Sequence, residues 1–149
     1  MNVASCYHLK AEGLQHVAEH FQELTHFNSS GLNNGGRSAA IVSILRVNEK
    51  TLEKVELSGP VDLKWNGSDF LTQLSRMPQL TVLDISEMML PSHKSLQAAL
   101  SYLSPTLRIL RMSRCGLKNN MVGIPVIFYI IMQITCRFFY FAQFDCIIL

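Results

Sequence analysis

Four leucines recur along the chain at a near-constant spacing: Leu24, Leu52, Leu80 and Leu107 lie 28, 28 and 27 residues apart. Each opens an LxxLxL-like stretch, namely Leu24-Phe27-Ser29, Leu52-Val55-Leu57, Leu80-Leu83-Ile85 and Leu107-Leu110-Met112. The sixth residue after every anchor is a serine: Ser30, Ser58, Ser86 and Ser113. The first stretch is degenerate at Ser29, and the last, running on to Cys115 and Leu117, is the cleanest. A fixed period of this length marks a supersecondary unit repeated in space. One such unit cannot bury its apolar face alone, so neighbours must stack and share a core.

The residues between the anchors have helical periodicity. Leu14, Val17, Ala18 and Phe21 share one face, as do Ile41, Ile44 and Leu45 before Leu52. Phe70, Leu71, Leu74 and Met77 precede Leu80, with Ser68 and Asp69 as candidate caps, and Leu96, Ala99, Leu100 and Leu103 precede Leu107. Gly35-Gly36, Gly59-Pro60 and Pro91 supply turns outside these runs. The expected fold class is α/β, a curved solenoid with short parallel strands inside and helices outside. Helices are wider than strands, so the strand side is expected to be concave.

The pattern from Leu24 to Leu117 resembles leucine-rich repeats of the ribonuclease-inhibitor-like class. It covers residues 6 to 120, with Cys6 and Leu9 placed as the tail of an earlier repeat. The stretch Leu96–Leu117, where Ser104, Pro105 and Thr106 lead through Leu107 to Arg111–Cys115, is similar to the repeats of PRAME-type and F-box-type proteins. The resemblance implies an interaction module that holds a protein partner on its concave face. The narrower likeness implies a substrate-recognition fragment of a ubiquitin-ligase adaptor. The recruiting motif of such subunits normally precedes the repeats, and nothing like it is visible here.

The ends depart from the pattern. The chain is expected to begin inside a repeat, with no polar end cap. After residue 120 the period is lost, and residues 121–149 carry only Arg137 and Asp145 as charges amid many Ile and Phe. The division expected is therefore about four repeats over 1–120, standing alone or as a fragment of a longer array, and a hydrophobic tail over 121–149. Three readings of the tail stay open: a membrane anchor, a core helix covering the end of the stack, or translated non-coding sequence of a truncated gene. As a span it is interrupted by Pro125, Gln133 and Arg137.

Charge and cysteine usage narrow the function further. The net charge of +2, without a Lys/Arg run, gives no nucleic-acid footprint. Cys6, Cys115, Cys136 and Cys146 show no CxxC spacing, so neither a disulfide framework nor a zinc knuckle is expected. No secretory signal is visible, which points to reduced thiols, a cytoplasmic or nuclear location, and unmodified sequons at Asn28 and Asn66.

Strand residues between the anchors should face outward. Asn28, Glu56, Asp84 and Arg111 stand four after each anchor; His26, Lys54, Val82 and Ile109 stand two after; Thr25, Glu53, Thr81 and Arg108 stand one after. This surface is acidic in the middle and basic at Arg108, Arg111 and Arg114. The candidate protein-binding residues are Asn28, Lys54, Glu56, Asp84, Arg108 and Arg111. Glu56 and Asp84, about 5 Å apart on adjacent strands, could form a general acid–base pair, but a solvated charge ladder facing Arg111 across the next strand is the preferred reading. No catalytic residue and no cofactor is assigned, and the chain is not expected to be an enzyme.

His16, Glu19 and His20 match the HxxEH pattern of inverted zincins, which opens the alternative of a zinc hydrolase. Against it, Leu14, Val17, Ala18 and Phe21 define the apolar face, which leaves both histidines on the solvated side with no third ligand identifiable. Trp65 is expected in a loop, packed over the core edge in preference to serving as a binding anchor. Cys115 is expected to pack as an inert thiol.

Overall fold

A parallel pair of strands cannot be closed by a tight hairpin; the chain must cross back between them, usually through a helix. The spacing of 27 to 28 residues provides that length. In the computed structural model, which describes residues 1–32, 37–59, 67–87, 89–90, 106–111 and 116–117, strands and helices alternate accordingly. Helix α1 (Ala11–His20) precedes β1 (His26–Asn28), α2 (Ser38–Val47) precedes β2 (Lys54–Glu56), and α3 (Gly67–Leu74) precedes β3 (Val82–Asp84). Further along come β4 (Met89–Leu90), β5 (Ile109–Arg111) and β6 (Gly116–Leu117). The fold is α/β, with β1, β2, β3 and β5 forming a four-stranded parallel sheet in that order.

The strand register reproduces the sequence period. Phe27 pairs with Val55, Val55 with Leu83, and Leu83 with Leu110. The small β4–β6 sheet keeps the same 27-residue shift, Met89 opposite Gly116 and Leu90 opposite Leu117. Backbone hydrogen bonds repeat in phase as well. The carbonyls of Thr25, Glu53 and Thr81 each accept two successive N–H groups from the next strand, at 2.8 to 3.1 Å. Ser29, Leu57 and Ile85 each donate to the carbonyl of the outward residue one unit on, Glu56, Asp84 and Arg111.

Alternation along each three-residue strand sends the middle residue inward. Phe27, Val55, Leu83 and Leu110 are buried, as are the anchors Leu52, Leu80 and Leu107 and the third members Leu57 and Ile85. Leu24, the anchor of the degenerate unit, is partly buried against the same core. From the helices come Leu14, Val17 and Ala18 of α1, Ala40, Ile41, Ile44 and Leu45 of α2, and Phe70 and Leu74 of α3. Helix α1 packs on α2, and α2 on α3. All of these side chains belong to one continuous apolar cluster.

Two details differ from the sequence expectation. Phe21 was placed on the buried face of α1, but the helix ends before it. Phe21 is the C-cap residue with φ −116° and ψ 94°, so its side chain leaves the helical phase and stands half exposed. Ser68 and Asp69 were expected as caps of the third helix; that helix begins at Gly67 and takes both into its first turn. The expected fourth helix at Leu96–Leu103, Trp65, Pro60, Pro91, Gly35-Gly36, Arg114, Cys115 and the tail 121–149 lie outside the described residues. Among the described residues no helix is long and apolar enough to cross a membrane.

The first residues extend the sheet. Asn2 forms a parallel bridge with Asn28, the Val3 N–H donates to the Asn28 carbonyl at 2.8 Å, and the Asn28 N–H donates to the Met1 carbonyl at 3.0 Å. Residues 1–5 thus sit as a strand-like segment beside β1.

A column of left-handed residues follows the serines. Gly31 and Gly59, seventh after their anchors, have φ +72° and +135°. Glu87 at the same place has φ 63°, and Ser5 in the leading segment has φ 57°. The N–H groups of Ser5, Gly31 and Gly59 donate to the carbonyls of Ser30, Ser58 and Ser86 at 2.9, 2.7 and 3.2 Å. The leading segment, β1 and β2 therefore end in the same turn, each bonded to the next unit.

Candidate functional site

Residues either side of the buried middle position stand on the outer face of the sheet. Side chains two apart on a strand share a face, so Lys54 and Glu56 meet on β2, with Lys54 Nζ 3.1 Å from Glu56 Oε2. Arg111, two strands away on β5, brings Nη1 to 3.9 Å from Glu56 Oε1. The Glu56 carboxylate is therefore flanked by a cation on each side. It is also the least exposed of the three, with 20% of its side-chain surface open against 36% for Lys54 and 46% for Arg111.

Asp84 lies between them in register, opposite both Glu56 and Arg111. Its carboxylate is used locally: Oδ1 accepts the Ser86 N–H at 3.0 Å. Asn28 does the same one sheet position away from β2, with Oδ1 accepting the Ser30 N–H at 2.9 Å. Short Asx side chains turn back onto their own backbone two residues on, while the longer Glu56 and Arg111 reach across the face. Asn28 and Asp84 thus shape the strand-end turn as well as the surface, and Arg111 faces Glu56 across β3. Arg108 is exposed, held by its backbone N–H to the Thr81 carbonyl at 2.8 Å, with no ion pair among the described residues.

The two carboxylates have different partners. Their strands are adjacent, but Glu56 faces Lys54 and Arg111 while Asp84 faces its own turn. What the arrangement can do is present a mixed-charge strip, with His26 and Thr25 exposed beside it at β1 and Val82 and Ile109 half-buried between the charges. Such a strip recognises a complementary pattern of charge and hydrogen bonding.

A second group of polar side chains lies on the exposed side of α1. His16, Glu19 and His20 bring one potential ligand atom each to within 4.8 Å of one another. The histidine rings are 3.9 Å apart between centroids and tilted by 38°. The carboxylate of Glu19, already part of the HxxEH pattern, lies with the two imidazoles as a potential third ligand.

Asn48 escaped the sequence reading. It is buried at the end of α2, where its amide nitrogen donates to the carbonyls of Phe21 and Ile44, both at 2.9 Å, and its Oδ1 accepts the Leu24 N–H at 2.8 Å. It ties the turn after α1 to the end of α2. No counterpart stands four before the other anchors, where His20, Arg76 and Leu103 occur, so the period carried no signal for it. The left-handed column did have one, since Gly31 and Gly59 follow the serines in phase. Comparison with models of known protein families and with the sequences of curated proteins gives no match to this chain.

Proposed function

We propose that this chain is a leucine-rich-repeat solenoid of the ribonuclease-inhibitor-like class that binds a protein partner through its concave strand face and catalyses no reaction. The observation that carries the reading is the agreement between the 28, 28 and 27-residue spacing of the anchors and the register of the parallel strands. That agreement makes the outer positions of successive strands a continuous row. On this row Lys54, Glu56 and Arg111 form a charged centre around Asp84, with Asn28 and Arg108 beside it. Charges held on a rigid sheet and only partly solvated steer and select a partner. The likeness of Leu96–Leu117 to PRAME-type and F-box-type repeats supports a narrower role, substrate recognition within a ubiquitin-ligase adaptor.

The test is affinity capture from cell extract with wild-type chain, Glu56→Lys and Glu56→Lys/Arg111→Glu. A partner held by this face is retained by wild type, lost on Glu56→Lys, and released as salt rises through the range that screens surface charge. Capture of every partner equally by all three proteins, each shown to be folded, contradicts the assignment of this surface.

A further inference from the structure

We propose that His16, Glu19 and His20 form a surface site for a divalent zinc ion on α1, independent of the protein-binding reading. The two histidines are four residues apart and Glu19 three from His16, so one helical face collects all three. Their ligand atoms already lie within 4.8 Å of one another. Zinc bonds of about 2.0 to 2.2 Å in a tetrahedral arrangement place ligand atoms roughly 3.4 Å apart. The three side chains are exposed, so no core packing opposes a closer approach on binding.

The surrounding hydrogen bonds favour this use. His20 Nδ1 lies 2.9 Å from the His16 carbonyl oxygen. A carbonyl only accepts, so Nδ1 carries the proton and the lone pair stands on Nε2. This is the arrangement that orients a metal-binding imidazole, one ring nitrogen donating to a backbone carbonyl and the other free for the ion. Gln15 Nε2 donates to Glu19 Oε1 at 3.4 Å, which steadies the carboxylate from the preceding turn. His16, Glu19 and Glu12 border a shallow groove whose far wall is Ala39 and Ala40 of α2. Two imidazoles and one carboxylate are a borderline donor set that suits zinc. The inference is of binding alone and includes no reaction.

The experiment is calorimetric titration of the full chain with zinc chloride, beside H16Q, H20Q, E19Q and the double variant H8Q/H26Q. The expected result is one zinc per chain with a dissociation constant on the order of 1–10 μM. H16Q and H20Q each weaken it at least about tenfold, E19Q weakens it less, and H8Q/H26Q leaves it unchanged. Circular dichroism of all variants should match wild type, since the replaced side chains are exposed. A chain that takes up no zinc at about 100 μM, or one whose affinity survives H16Q and H20Q, overturns the proposal.

Discussion

A β-carbon on Gly59 would lie 2.8 Å from the backbone nitrogen of Gly31. The two glycines occupy the same place in successive units, and the turns they form nest backbone against backbone. Gly59 also holds φ +135°, which a side chain rarely tolerates. Gly59→Ala is expected to destabilise the fold by about 1–3 kcal/mol through steric conflict and backbone strain together. Urea unfolding of the two proteins checks it through the midpoint, with the slope unchanged.

Ser5 adopts the left-handed conformation with φ 57° at the equivalent place, without being glycine. A left-handed conformation costs an L-residue roughly 1–2 kcal/mol, part of which glycine returns as chain entropy. Ser5→Gly should therefore stabilise modestly, by up to about 1 kcal/mol, and raise the melting temperature. A fall would show that the Ser5 side chain contributes more than its backbone costs.

Asn48 satisfies three backbone groups on two segments from inside the core. Removing its amide leaves the Leu24 N–H and the Phe21 carbonyl without that partner. Asn48→Ala is expected to cost about 2–3 kcal/mol, the range for orphaned buried polar groups. Asn48→Asp should also destabilise, because a carboxylate cannot donate to the two carbonyls. Thermal denaturation of both variants against wild type tests the pair.

The ion pairs of Glu56 are partly solvated on both cationic sides. Exposed pairs of this kind contribute about 0–1 kcal/mol. Glu56→Gln should therefore change stability by less than about 1 kcal/mol while weakening partner capture. That separation of effects distinguishes a recognition residue from a structural one and is read by pairing denaturation with the capture assay.

The repeat and its inner residues were legible because burial imposes a strict demand at each period. Val55, Leu83 and Leu110 must be apolar, and they are. The outer positions were legible from strand alternation, but the use made of them was not. Whether a carboxylate turns to its own backbone or across the face depends on one methylene, which separates Asp84 from Glu56. The end of α1 was misplaced at Phe21 because helical periodicity continues on paper after the backbone has left the helix. Asn48 was invisible for another reason: its role is a single contact between two segments and does not recur.

The central claim is that successive units of 27 or 28 residues lie side by side in register over one core. Nuclear Overhauser contacts between methyl groups of Val55 and Leu83, and of Leu83 and Leu110, measure it directly. The account predicts both sets of contacts, together with protected amides at Leu57 and Ile85. Absence of these contacts, or contacts displaced by a residue along the strand, would contradict it.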